Sequence, residues 1–327
     1  MLPLLAALTL TIPGVPGRLG GPVGPIALDG RQAAYVVVRD SMRGCHFAER
    51  VYSLDLKTRR STLSSGAKTC AQEPTSTGRG IDAVAIAGKR TTWIVNEGGN
   101  TESDNLLFSS GSPGRESIVA RSTASGPDLD TLAGGWIGGL VSDGSRITYS
   151  TWTSADAGGL HRFPGPRVIA HDGAAVVDSS ADAGRVAVLH ADGSVAVFGI
   201  SGQLLNTVKT ANARSIALAG DLLAVVVKGG TLDVYDRTTG ALVHAWPVAP
   251  GATSVDANRG IAAYVAGAAV HVLDLATGRD VTVATGTRRQ VVGARIDTAG
   301  LLYAYNTRSG GTIVFVPYAA VAKRLSA

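Results

Sequence analysis

The sequence predicts an all-β protein built as one ring of repeated units, and three observations carry that prediction. Glycine supplies 42 of the 327 residues, nearly double the ~7% of ordinary proteins. Only 17% of residues are charged while 45% are apolar, so the chain can bury a large core, which excludes disorder and collagen-like structure. The second half repeats itself with a period of about 38–40 residues, near the ~40–45 of a four-stranded repeat. Length alone would suggest about two domains; the repeat replaces that expectation with a single body.

The clearest copies are 176–208, 215–248, 253–283 and 292–325. Each reads as a strand, a Gly/Asp/Asn turn, a second strand, a tight Gly turn, then a third and a fourth strand. The segments 222–227 (LLAVVV), 185–190 (RVAVLH) and 231–236 (TLDVYD) are rich in branched or aromatic residues, and turn-forming residues bound them. Lys228-Gly229-Gly230 and Ala191-Asp192-Gly193 suit short hairpin connections. Helical periodicity is absent. The first half carries the same units in stretched form: 26–39 with 50–63, then 82–95 with 104–110 and 116–121, then 136–152 with 159–163 and 167–170. The count is a β-propeller of seven four-stranded blades over 21–327, with six or eight as alternatives if a stretched unit is misjudged.

Val234-Tyr235-Asp236-Arg237-Thr238-Thr239-Gly240 and Val272-Leu273-Asp274-Leu275-Ala276-Thr277-Gly278 resemble the third-strand ending and turn of WD-repeat and quinoprotein-type blades. Val51-Tyr52-Ser53-Leu54-Asp55-Leu56-Lys57-Thr58 is a weaker copy without the glycine. The Gly-His dipeptide of WD repeats is absent, and Trp246 does not stand at the quinoprotein docking spacing. The resemblance therefore implies the fold and no quinone cofactor, and function does not follow from fold.

Leu2 to Ile12 form an apolar stretch followed by a Pro/Gly-rich run. Its length matches the ~7–15 residues of a signal-peptide core, although no Lys or Arg precedes it and no small-x-small cleavage site follows. Residues 1–20 are therefore expected to be a leader, making the protein secreted or otherwise exported, with the cell envelope as one destination. The alternative is an N-terminal strand paired with the last unit. Two cysteines in an exported chain favour a Cys45–Cys70 disulfide. Closing that loop would stabilise by roughly 3 kcal/mol in the chain-entropy model. A zinc site on Cys45 and His46 lacks further ligands at suitable spacing.

In a blade, the connections from second to third strand share one face of the disc with the blade-to-blade connections. The long stretches 39–49, 65–80, 97–103, 122–134 and 153–158 all map to that face, on blades one to three. Long loops on a rigid scaffold are commonly functional. The candidate contact residues there are His46, Phe47, Glu49, Glu73, Glu97, Glu102 and Asp104, with solvated loop residues as the plainer alternative.

Catalytic motifs are missing: there is no GxSxG, HExxH, P-loop or strand-borne GxGxxG. Asp128-Leu129-Asp130 is too short to signal calcium, and no catalytic residue, metal or cofactor is expected. The six histidines are scattered through different strands and loops. Asp82, Asp178, Arg214, Asp256, Arg295 and Asp297 fall in or beside first strands, where they either line the channel or satisfy backbone groups. The net charge of +5 is spread out without a recognition motif, so nucleic acid is not an expected partner. The expected function is a non-catalytic scaffold binding a protein, peptide or glycan through the loop face of blades one to three. The alternative is a lyase or glycoside hydrolase working in the central channel.

Overall fold

The computed structural model describes residues 8–11, 21–39, 48–66, 79–99, 101–127, 132–153, 158–164, 167–172, 175–286, 289–308 and 310–326. They form seven antiparallel four-strand units. Blade one contains β2 (Val23–Asp29), β3 (Gln32–Arg39), β4 (Ala48–Asp55) and β5 (Arg60–Leu63). Blade two contains β6 (Arg79–Ala87), β7 (Arg90–Gly98), β8 (Glu102–Ser110) and β9 (Glu116–Ser125). Blade three follows with β10 (Ala133–Ser142), β11 (Ile147–Thr153), β12 (Gly159–Phe163) and β13 (Arg167–Ala170). Blade four is β14 (Val176–Asp182), β15 (Arg185–His190), β16 (Ser194–Phe198) and β17 (Leu204–Lys209). Blade five is β18 (Ala213–Ala219), β19 (Leu222–Val227), β20 (Thr231–Asp236) and β21 (Leu242–Pro247). Blade six is β22 (Ala252–Asn258), β23 (Ile261–Ala266), β24 (Ala269–Asp274) and β25 (Asp280–Ala284).

Blade seven is composite. Its first three strands are β26 (Gln290–Ile296), β27 (Gly300–Thr307) and β28 (Gly310–Pro317), and its outer strand is β1 (Leu8–Thr11), which pairs antiparallel with β28. The fourth strand expected within 292–325 is instead a helix, α1 (Tyr318–Ser326). The Ala-rich segment after Pro317 favours helix over strand. Val321 and Leu325, four residues apart, are buried on one stripe, and Lys323 with Arg324 sit in the last turn, where the helix dipole favours cations. The N-terminal segment expected as leader thus includes residues that close the ring.

Consecutive first strands contact one another all the way round, from β2 through β6, β10, β14, β18 and β22 to β26 and back to β2. Each of the seven seams between blades has its own cluster of buried side chains. Seven seams fix the count at seven blades. Blades two and three also run together as one eight-stranded sheet, because the ends of β9 and β10 pair at Ser125–Ala133 and Ala124–Gly134. The inner strands of the blades are largely covered on both faces and correspondingly apolar, while outer strands such as β9, β17 and β21 are largely exposed.

Two repeated devices come directly from sequence. In the turn motif noted above, Asp236 Oδ1 accepts from the N–H groups of Thr238 and Thr239, Asp274 Oδ1 from Ala276 and Thr277, and Asp55 Oδ1 from Lys57 and Thr58. The carboxylate substitutes for a backbone acceptor and sets the turn. Cross-strand rings between second and third strands form the other device: Tyr35 stacks on Tyr52, Trp93 on Phe108, Tyr149 on His161 and Tyr264 on His271, with centroids 4.7–5.8 Å apart.

Carboxylates also lock one blade to the next. The Gly88 N–H of blade two donates to Asp29 of blade one (2.6 Å), and the Gly220 N–H of blade five donates to Asp182 of blade four (2.7 Å). Gly30 N–H in blade one donates to Asp297 of blade seven. Deeper in the ring, Asp178 Oδ2 of blade four accepts from Ser215 Oγ (2.6 Å) and Ile216 N–H (3.0 Å) of blade five. Ser215 Oγ in turn accepts from Val255 N–H of blade six (3.0 Å), and Asp256 Oδ2 from Ile296 N–H of blade seven (2.8 Å). Going round the ring, with blade seven preceding blade one, the acceptor in each of these bonds belongs to the preceding blade.

Candidate functional site: the raised edge of blade two and the central channel

Blade two has the longest inner hairpin. Its β7 has nine residues, one more than β3 of blade one, two more than β11 of blade three and three more than β19 of blade five. At ~3.3–3.4 Å per residue, the hairpin reaches about 10 Å further than that of blade five and about 3 Å further than that of blade one. The stretches 97–103 and 122–134, expected as loops, give their ends to the ladder: Gly98 pairs with Ser103, Glu97 with Asp104, Asp104 with Thr123 and Glu102 with Ser125. Their polar alternation, ESDN against RSTAS, conceals strands from any reading that looks for apolar runs.

Alternation also sorts the side chains. Glu97, Asp104 and Thr123 lie side by side on one face of the extension, with Glu102 and Ser125 in the adjoining row. The opposite face carries Ser103, Asn105 and Ala124, all buried. Further down β7, Trp93 and Val95 share the parity of Glu97 and pack with Ala34, Val36 and Val51 of blade one. The acidic row therefore stands over the seam between blades one and two. Sequence spacing had named Glu97, Glu102 and Asp104; the structure puts them on one surface.

Arg121 completes the cluster. Its guanidinium bonds Asp104, whose other oxygen accepts from Thr123 Oγ1 (2.5 Å). Partial burial opposes ionisation of Asp104, but Thr123 and Arg121 outweigh it and hold the carboxyl below its ordinary range. Arg121 is raised, first by its bond to Asp104 and further by the nearby charges of Glu102 and Glu97. Arg79 stands opposite Glu97 on the neighbouring strand β6, so two arginines share the row with three carboxylates and leave it net acidic by one charge. Glu49, also a candidate, has another use: it accepts from Ile81 N–H of blade two and fastens β4 across the same seam. His46, Phe47 and Glu73, the proposed Cys45–Cys70 bridge, and Asp128 to Asp130 lie outside the described residues.

The central channel is a cavity of about 540 Å³ lined by first strands of all seven blades. It includes Asp82, Asp178, Arg214, Asp256 and Arg295, while Asp297 sits at the turn end of β26 holding Gly30 and the Ala299 and Gly300 N–H groups. Burial pushes Asp82, Asp178, Asp256 and Asp297 up from the ordinary carboxylate value. Most of these aspartates do the structural work already described, bonding backbone N–H groups of their own or the next blade. None of the described lining residues is His or Tyr. The described histidines are dispersed: His161 and His271 stack on tyrosines, His244 on Trp246, and His190 bonds Asp172 (2.8 Å). No helix of the described residues is long and apolar enough to cross a membrane, and no group of metal-ligating side chains occurs among them.

No family model matches the chain, and no curated protein matches it by sequence. Solved structures do resemble it. A chain of the mitotic checkpoint complex superposes with a TM-score of 0.58 at 12% identity, covering 95% of this chain and 91% of that one. Sqt1 of Saccharomyces cerevisiae superposes with a TM-score of 0.54 at 11% identity, covering 91% and 96%. Both are WD-repeat propellers. At these identities the likeness shows the β-propeller fold and nothing finer.

Proposed function

We propose that this protein is an interaction scaffold that binds a protein partner on the face bearing the long connections of blades one to three. The observation that carries this reading is the raised edge of blade two, which presents Glu97, Glu102 and Asp104 together over the seam with blade one. A stiff, sheet-borne acidic row is preorganised, so little ordering cost opposes binding. Its charge favours a basic peptide segment over a neutral glycan. The structural neighbours are interaction propellers, one of them solved within a complex, which supports the same class of role.

The exported location expected from the N-terminal stretch belongs to this proposal. A chain processed after residue 20 would leave β28 without its outer strand, so N-terminal sequencing of the mature protein decides between a retained strand and a cleaved leader. For binding, the test compares wild type with E97Q/E102Q as bait in extracts of the source cells. A partner retained by wild type and lost by the variant, with an unchanged melting temperature, supports the reading; equal retention refutes it.

A further inference from the structure

The face opposite the acidic row carries the first-to-second and third-to-fourth strand turns, each at most five residues long. Its charges are sorted by depth. The carboxylates of Asp29, Asp55, Asp182, Asp236, Asp274 and Asp297 are partly buried and turn onto backbone N–H groups of their own turn or of the next blade. The cations project. Arg31, Lys57, Arg59, Arg60 and Lys89 are exposed, and among the described residues no hydrogen bond or ion pair occupies their side chains. Backbone bonds hold their three turns together: Leu56 N–H donates to the Arg31 carbonyl (2.9 Å), and Gly88 N–H to Asp29 (2.6 Å).

Arg59 stands there at a backbone cost. In the sister turns of blades five and six, the Gly240 and Gly278 N–H groups donate to the Asp236 and Asp274 carbonyls, with φ at +71 and +72. Arg59 holds that position in blade one: its N–H donates to the Asp55 carbonyl (2.8 Å) at φ +59. Left-handed backbone favours glycine, and no bond from the arginine side chain repays the strain. An outlier kept without such compensation points to function. On blades four and five the same face exposes aliphatic side chains. Ile200 lies in the turn between β16 and β17, Leu204 opens β17, and Leu242 and Val243 open β21, with 46–58% of each side chain's residue surface exposed.

We propose that this turn face docks on an anionic lipid bilayer, with the five cations of blades one and two on headgroup phosphates and the aliphatic side chains of blades four and five at the acyl boundary. Binding at a bilayer surface combines buried apolar area with attraction to anionic lipid, and the face supplies both. Nucleic acid would engage the cations but leave the aliphatic side chains unused. Single strands also need aromatic platforms, and no aromatic residue is among the exposed large hydrophobics. Docked this way, the disc turns the acidic row of blade two away from the membrane. The two surfaces are separate, and either proposal can fail without the other.

The test is flotation of the full chain with vesicles of phosphatidylcholine alone and with one third phosphatidylglycerol, run beside thermal melting. Binding to the anionic vesicles is expected to be at least roughly tenfold tighter than to the neutral ones, and to weaken as salt rises. K57Q/R60Q is expected to weaken it by roughly twentyfold or more, at about fivefold per charge removed. R59G is expected to weaken it about fivefold while melting no lower than wild type, because glycine relieves the left-handed strain. L204S/L242S, which changes only exposed side chains, is expected to weaken it severalfold. Absence of binding, equal binding to both vesicles, K57Q/R60Q or L204S/L242S binding like wild type, or R59G melting lower with vesicle binding unchanged would each overturn the proposal. So would a DNA duplex held more tightly than the anionic vesicles at the same salt.

Discussion

Replacing Asp178 with alanine removes the acceptor of three hydrogen bonds, two of which cross from blade four to blade five. The donors left behind are the N–H groups of Ser179 and Ile216 and the Ser215 hydroxyl, and Ser215 must still accept from Val255. A buried donor without a partner costs about 1–3 kcal/mol. Against this, the variant no longer buries an ionised carboxylate, a cost visible in the upward push on Asp178 by burial. The balance is a loss of about 2–4 kcal/mol, or about 3–6 °C in Tm at the unfolding entropy of a chain this long.

Asparagine separates the two contributions. D178N keeps one acceptor oxygen but turns an N–H toward donors, so it should cost less than D178A and still be destabilising. The folded carboxyl titrates above its ordinary value of 3.8, so its contribution to stability is fully present below that value and is lost as pH rises through the folded value. D178N has no titration at this site. The stability gap between wild type and D178N, measured by denaturant unfolding from pH 7 down to pH 4, should therefore widen on acidification. A gap that narrows would show the carboxylate to be worth more ionised, and would refute the account of the staple.

Three further outcomes follow from the packing. Gly202 has φ +87, and a Cβ there would stand 1.7 Å from the Ile169 carbonyl oxygen of blade three; G202A should lose about 2–3 kcal/mol or more in unfolding measurements. Trp93 is fully buried against Phe108, with its Nε1 lacking a hydrogen-bond partner. W93A should cost about 3–5 kcal/mol, whereas W93F, which keeps a ring and removes the orphan donor, should cost at least about 2 kcal/mol less in the same assay. A chain beginning at residue 21 lacks β1 and exposes the edge of β28; it should melt lower than the full chain and associate by light scattering.

The fold was legible where the repeat is regular. In blades four to six the segments 185–190, 222–227 and 231–236 are strands with those same limits, because Gly and Asp turns bound short branched runs. Blade seven was legible only in part: an N-terminal strand paired with the last unit stood as the alternative to a leader, and that pairing is what the structure has, between residues about 300 positions apart in the chain. Pro317 followed by the alanine-rich run before Leu325 was the available sign of a helix. The acidic residues of blade two were visible as a group in the sequence, but not as one surface. Placing Glu97 beside Asp104 needs the hairpin register, and the parity shared with Trp93 decides which seam they overlook. Arg121 went unnoticed because its partner lies on another strand. The inner-strand aspartates were recognised by position, while their engagement with the next blade depends on how first strands pack around the ring.

The central claim is that the partner docks on the acidic row of blade two, and site-specific photo-crosslinking tests it most directly. A photoreactive residue at Glu102, on the raised edge, is compared with one at Thr238, in the third-to-fourth strand turn on the opposite face. The account predicts a discrete crosslinked partner from position 102 that is absent from position 238 and disappears when Glu97 is also changed to glutamine. Crosslinks to the same partner from position 238 alone, or equally from both, would contradict it.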